Sequence, residues 1–180
     1  ASHSMTPRRF CAFLLLGFGL FLLVRQMVLI WGFTVDDSFI TYRYSRNLAA
    51  GLGPTWNPGG PPIEGYTTFL WMIVMTVPYA LGLEPVLFGR LVSLACTLGS
   101  LLLLFFFARR LQRQWSVEDE LLPYLGVAFF AALDLTAVHT VSGMETALFT
   151  FLLTGLLYAA TLCAEVVTVQ RATAFALWGL

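Results

Sequence analysis

The stretch TVDDSFITYRYSRNLAAGLGPTWNPGGPPIEGYTTFLW, residues 34–71, divides the chain, because it is polar and rich in proline and glycine between apolar runs. It opens with the paired acids Asp36 and Asp37, and its pattern predicts a helix over 38–50 that Gly51 ends. At about 3.6 residues per turn, one face of this helix carries Asp36, Phe39, Ile40, Arg43, Arg46 and Asn47. We therefore predict an ordered extramembrane element with an acid and arginines on one side.

The composition indicates the class of protein. Of the 180 residues, 58% are hydrophobic and 11% are charged, and the mean hydropathy is +0.80. Soluble domains are less apolar and more charged, so we predict an all-α integral membrane protein. The net charge is zero, which gives no reason to expect a nucleic-acid partner. Three cysteines inside apolar runs give neither a disulfide framework nor a metal-ligand spacing.

Apolar runs set the predicted domain organisation. Since a spanning helix needs about 20 apolar residues, spans are predicted near 10–33, 86–107, 121–141 and 144–164. The run that starts at 172 is a partial span. Residues 1–4 are interpreted as an addition before the native Met5. Residues 5–180 are predicted to be the amino-terminal transmembrane module of a longer protein.

Another apolar run, 67–83, is predicted to lie on the outer surface. If it crossed, the arginines after the next run would lie opposite those at the amino terminus, against the cytoplasmic preference of positive charge. The run is short and is interrupted by Pro78 and Gly82, so we predict an external cap over 34–83 with juxtamembrane helices. The cytoplasmic arginines are then Arg8, Arg9, Arg109, Arg110, Arg113 and Arg171. The acids gathered outside are Asp36, Asp37, Glu64 and Glu145.

Two segments carry a resemblance to a known family: DDSFITYRYSRNLAAGLGPTWNPGGPPIEGYTTFLW at 36–71 and SGMETALFTFLL at 142–153. They resemble the amino-terminal module of GT-C-fold glycosyltransferases, most of all the bacterial group that includes the mycobacterial arabinofuranosyltransferases. The resemblance covers 10–164. It implies a multi-pass enzyme of the inner (plasma) membrane with an external active face and a GT-C-like helical fold. Its implied partners are a polyprenyl-phosphate-sugar donor, membrane lipid, and a glycan or lipid acceptor.

The resemblance also implies an aspartate in the first external loop as the catalytic residue. Asp36 is the first candidate for the base that takes the acceptor proton during inverting transfer, and Asp37 is the second. Arg43 is the first residue expected to bind the donor phosphate, and Arg46 is the second, because one guanidinium group can donate to two phosphate oxygens at once. A divalent cation would neutralise the same charge, and no other cofactor is implied. The further substrate-binding candidates are Glu64, Tyr66 and Glu145.

Structural explanations compete with each of these roles. Asp36 or Asp37 is a favoured N-cap residue for the helix 38–50. The arginines of that helix are also suited to snorkel or to contact lipid head groups. Ser142 and Glu145 match the S-x-x-E capping box. Glu64 is an ordinary loop acid by its surroundings.

Two other functions remain open from the sequence. One is a transporter or lipid-flipping subunit in which Asp134 and Glu145 handle protons, as intramembrane acids often do. The other is a non-catalytic assembly protein whose cap binds a partner. Asp134 is either a helix-packing partner or a cavity-lining residue, and His139 alone is too weak a signal for a ligand or a base.

Overall fold

The computed structural model describes residues 6–61, 63, 65–117 and 119–178, and from residue 164 onward only the backbone. These residues form helices and no strand, as predicted for an all-α protein. The helices are α1 Pro7–Leu29, α2 Asp36–Ala49, α3 Phe69–Leu81, α4 Pro85–Gln114, α5 Leu122–Ala132, α6 Asp134–Val141 and α7 Thr146–Trp178.

Three helices are long and apolar enough to cross a membrane: α1, α4 and the Thr146–Cys163 part of α7. The predicted span 121–141 is instead two helices, α5 and α6, which meet at a bend of 59°. The pair passes as a fourth span when it is counted together. Helix α3 has 13 residues, or about 20 Å, which is shorter than the roughly 30 Å of hydrocarbon. Its position outside the bilayer stays a prediction.

Local signals explain where these helices start and end. Proline opens both α1 and α4, where its missing N–H costs nothing. The carboxylate of Glu84 accepts hydrogen bonds from the first backbone N–H groups of α4, at Val86 and Leu87. Helix α3 ends at Gly82, whose φ of +67° suits glycine. A capped start and a glycine stop therefore separate the short α3 from the long α4.

The spanning helices pack around α4. Helix α1 lies against α5 and α6, while α4 contacts α5, α6 and α7. Glycines permit the closest approaches: a Cβ at Gly19 would meet the carbonyl oxygen of Ala128 at 2.6 Å, and one at Gly99 would meet the Phe151 ring at 2.6 Å. Gly155 likewise faces Leu103. Because these contacts advance along both chains together, α4 and α7 run parallel.

Helix α2 packs on α3 through a face that is polar. Its buried residues are Ser38, Thr41, Tyr42, Tyr44, Ser45 and Asn47. Because α2 starts two residues earlier than predicted, its N-cap is Val35, and Asp36 and Asp37 both lie inside the first turn. The N-cap interpretation of these acids is therefore wrong. Asn47 is 5% exposed and lies on the buried side, whereas Asp36 and Arg46, which were predicted to share its face, are exposed.

Candidate functional site

The two segments that carry the resemblance meet at the turn between α6 and α7. The Val35 N–H donates to the carbonyl oxygen of Ser142 at 3.0 Å. The hydroxyl of Tyr42 and the indole N–H of Trp71 both donate to the carbonyl oxygen of Gly143, at 3.2 and 3.0 Å. Tyr42 comes from α2 and Trp71 from α3, so one carbonyl group joins both cap helices to the membrane-spanning part.

Glycine is required at position 143 for two reasons. Its φ of +84° lies in the left-handed region, which strains residues with a side chain. A Cβ there would also meet the Tyr42 hydroxyl oxygen at 2.6 Å and Ser38 Oγ at 3.2 Å. The close approach of the cap to this turn therefore depends on the absence of a side chain.

Asp36 and Asp37 are exposed at the start of α2, beside this junction. Neither side chain forms a hydrogen bond or ion pair with the residues that the structure describes. The first turn of a helix favours negative charge, because the backbone N–H groups there are unpaired. Both carboxylates thus lie at the start of a helix and are accessible to an incoming polar group.

Arg43 has a structural role in the cap. Its Nε donates to the carbonyl oxygen of Trp56 at 2.9 Å and its Nη2 to Asn57 Oδ1 at 2.8 Å, while the guanidinium lies 4.2 Å from the Trp56 ring centre. Asn47 adds bonds from its amide to the carbonyl oxygens of Thr55 and Trp56. Arg43 was expected to bind the donor phosphate, but two of its guanidinium donors are already engaged by the loop. Arg46 is exposed, and its guanidinium forms no hydrogen bond with any described residue.

Tyr44 organises the proline- and glycine-rich loop, a role that the sequence analysis missed. Its hydroxyl donates to the carbonyl oxygen of Ile63 at 2.6 Å and accepts from the Gly65 N–H at 3.0 Å. Its ring packs against Tyr66 at 4.8 Å between centres, so the candidate Tyr66 is half-buried in an aromatic cluster. The candidate Glu64 lies outside the described residues. An aromatic residue on the polar face of α2 was the available signal for Tyr44.

Glu145 does not form the expected capping box. The Ser142 N–H donates to the carbonyl oxygen of Val138, so it is not available to a glutamate side chain. Oε2 of Glu145 is instead buried and has no hydrogen-bond partner among the described residues. It lines an apolar cavity of about 220 Å³ between α3 and α7, beside Trp71 and Leu148. A buried acceptor without a partner is costly, which favours a binding role over a structural one.

Arg90 is a second residue that the sequence analysis missed. From α4, its Nε donates to the carbonyl oxygen of Val141, and its Nη2 donates to the carbonyl oxygen of Phe33 and to Thr34 Oγ1. The guanidinium also lies 5.0 Å from the Trp31 ring centre. It therefore fixes the entry to α2 against the end of α6. In the sequence, this role was indicated only by the presence of a single arginine inside an apolar run.

Asp134 is exposed at the break between α5 and α6. If α5 and α6 together form one span, the break lies near the middle of a layer of roughly 30 Å, because α5 has 11 residues, or about 16 Å. His139 is half-buried and lines a cavity of about 110 Å³ together with Thr97, Ser100 and Thr150. Asp134 is therefore not a packing partner, and it does not line this cavity.

Within the described part of the chain, no group of three His, Cys, Asp or Glu side chains is placed to hold a metal ion. A scan against family models, and searches of curated proteins and of solved structures, gave no match for this chain.

Proposed function

We propose that the protein is a membrane glycosyltransferase of the GT-C type, which transfers a sugar from a polyprenyl-phosphate donor to a hydroxyl acceptor at the external face. The observation that carries the proposal is the junction at Gly143, where Tyr42 and Trp71 bring the 36–71 segment against the 142–145 turn. Two exposed carboxylates and the half-buried carboxylate of Glu145, whose Oε2 is buried without a described partner, surround this junction. Such a group of acids suits a polar substrate that is delivered from the bilayer.

Asp36 accepts the proton of the acceptor hydroxyl while the hydroxyl oxygen attacks the anomeric carbon. Asp37 is the second candidate for this base. The bond from that carbon to the phosphate oxygen breaks, and the polyprenyl phosphate leaves with the electron pair. Because phosphate is a good leaving group, one carboxylate suffices where glycosidases use two.

Arg46 is the first candidate to stabilise the negative charge of the leaving phosphate. Arg43 is the second, because its guanidinium group is bound to the loop. The two α2 residues Asp36 and Arg46 are about 15 Å apart along the axis. Helical side chains lean towards the amino terminus, so the long arginine shortens this gap. Glu145 is assigned to accept a hydrogen bond from a hydroxyl group of the substrate. This bond would satisfy the buried Oε2 of Glu145.

Asp36→Asn tests the proposal. We expect sugar transfer in proteoliposomes to fall at least about 100-fold, the usual scale for a lost general base. The asparagine removes only a favourable charge at the helix start, which costs about 0.3–1 kcal/mol. The melting temperature should therefore change by a few degrees at most. Asp119→Asn, at the far end of α4, is the control, because its amide oxygen still accepts from the Leu121 N–H. Transfer within a few-fold of wild type would remove Asp36 from the mechanism.

A transporter or lipid-flipping subunit is the second candidate, and the broken span favours it. Discontinuous spans with an acid near the bilayer midplane are common at the binding sites of transporters. Asp134 occupies such a position, and it takes no part in the proposed transfer. Cysteine accessibility at the break separates the two functions and is described below.

A further inference from the structure

A basic cavity lies at the end of the molecule opposite the cap, between α4 and α7. It has a volume of about 510 Å³. Its walls include three arginines of α4 and three aromatic rings, namely Arg109, Arg110, Arg113, Phe105, Phe106 and Tyr158. No acidic residue is among the described residues that line it. The cavity therefore combines positive charge with apolar walls.

Its depth corresponds to the head-group region of the membrane. Arg109 follows Pro85 by 24 residues of continuous helix, or about 36 Å, which exceeds the roughly 30 Å of hydrocarbon. Arg110, the next residue of α4, donates to the carbonyl oxygen of Thr161 in α7. The arginines thus lie just beyond the apolar core, and Phe105 and Phe106 lie one turn inside it.

Two of these arginines carry charge that no acid balances within the cavity. Arg109 and Arg113 are exposed and lie four residues apart on one face of α4, and their guanidinium groups form no hydrogen bond or ion pair with the described residues. Like charges at this spacing repel each other. A bound anion would relieve that repulsion.

The neighbouring cavity, on the other side of Arg109 and Arg113, is different. It contains Arg8, but Asp119 and Glu120 also line it. Glu120 forms an ion pair with Arg9 at 2.7 Å, and this hydrogen-bonded pair lowers the pKa of the Glu120 carboxyl. Acids therefore already supply negative charge on that side. Arg109 and Arg113 line both cavities, and Arg109 also helps to lower the pKa of Glu120, so these acids balance part of the arginine charge. On the α4–α7 side no described acid is present, and that side is open to an external anion.

We propose that the α4–α7 cavity binds the phosphate of an anionic phospholipid, with Arg109 and Arg113 on its oxygens and the acyl chains along Phe105 and Phe106. Guanidinium groups pair with phosphate oxygens, and basic cavities between spanning helices suit anionic lipid head groups. Free phosphate would use the same arginines but would gain nothing from the aromatic walls. This site is independent of the sugar-transfer proposal and lies at the opposite membrane surface.

The test uses the protein in nanodiscs of phosphatidylcholine, with phosphatidylglycerol or inorganic phosphate added. We expect phosphatidylglycerol to raise the melting temperature of the wild type, because a ligand of the folded state stabilises it. Extra phosphatidylcholine and inorganic phosphate at the same concentration should not do so. In Arg109→Gln/Arg113→Gln, the apparent affinity for phosphatidylglycerol should fall at least tenfold. Arg8→Gln, in the neighbouring cavity, should keep the wild-type response.

Three results would overturn the proposal: equal responses to the two lipids, an unchanged response in the double variant, or an equal response to inorganic phosphate. The last result would mean that the site is a free-phosphate site. If the double variant does not fold, Arg113→Gln alone is measured by lipid adducts in native mass spectrometry. It should then lose the phosphatidylglycerol adduct while Arg8→Gln keeps it, and equal adducts on both would contradict the proposal.

Discussion

At the residue scale, a single backbone carbonyl joins the parts of the molecule. The oxygen of Gly143 accepts from Tyr42 and from Trp71, which are 101 and 72 residues away in the chain. Both donors are almost fully buried, so the loss of either bond would leave a buried polar group unsatisfied. Both hydrogen bonds therefore depend on the absence of a side chain at position 143.

Gly143→Ala should therefore destabilise the protein. The methyl group would be forced into a left-handed backbone and against the Tyr42 hydroxyl oxygen, at a cost of about 1–3 kcal/mol. Thermal unfolding in detergent measures the effect. Gly126→Ala in α5 is the matched control, because nothing lies within 4 Å of its added Cβ, and we expect it to be neutral or slightly stabilising. Equal melting temperatures for the two variants would contradict the close contact at the junction.

Tyr42 should make the cap sensitive to alkaline pH. Burial raises the pKa of Tyr42 from 10.0 to about 12. The unfolded chain then releases this proton first, so the stabilisation is complete below about pH 10 and is lost as the pH rises towards 12. Ultraviolet titration should show a tyrosine that ionises near pH 12, and Tyr42→Phe should remove that step. A step that persists in Tyr42→Phe would assign it to another tyrosine.

At the element scale, the sequence predicted the helices better than their interruptions. Apolar length predicted α1, α4 and α7, and Gly51 predicted the end of α2. The break before Asp134 was missed, because neither proline nor glycine marks it. It is stabilised locally, since Thr136 Oγ1 donates to the carbonyl oxygen of Phe130. An aspartate inside an apolar run was the signal available for this interruption.

The break should be reachable by water, because an exposed acid near the bilayer midplane is costly in lipid. With the native cysteines replaced by serine, His139→Cys should react with a membrane-impermeant thiol reagent at least ten times faster than Phe129→Cys. Phe129 is 69% exposed on α5 and is expected to face lipid. Equal rates would contradict a hydrated break. Reaction from both sides of the membrane would favour transport, whereas reaction from the outside alone would favour the glycosyltransferase.

At the scale of the whole molecule, the candidate site could be predicted only in part. The sequence indicated Asp36, Asp37 and Glu145, because paired acids and the resemblance mark them. It did not indicate Tyr44 or Arg90, because their roles depend on which loop carbonyl groups lie nearby in the fold. The capping box at Glu145 also failed, because Ser142 is the C-cap residue of α6 and its N–H already donates to the carbonyl oxygen of Val138.

The topology gives a prediction for the molecule as a whole. If α3 stays outside the bilayer, the two ends of α4 lie on opposite sides. With the native cysteines replaced, Leu83→Cys should be labelled from outside and Trp115→Cys from the cytoplasm, since both side chains are exposed. The reverse pattern, with Leu83→Cys labelled from the cytoplasm and Trp115→Cys from outside, would mean that α3 crosses the bilayer and that the acids are not gathered on one face.

The Gly143 junction also bears on how the protein is made. Helix α2 leaves the ribosome about 100 residues before the carbonyl that Tyr42 needs, which corresponds to roughly 5–20 s of synthesis. During that interval the polar face of α2 cannot complete its contacts, even after α3 has been synthesised. A nascent chain halted before the α6–α7 turn would thus expose an unfinished cap to proteases and chaperones. A substitution in the α6–α7 turn would therefore leave α2 and α3 unfinished, and membrane quality control would act on these helices although they were synthesised much earlier.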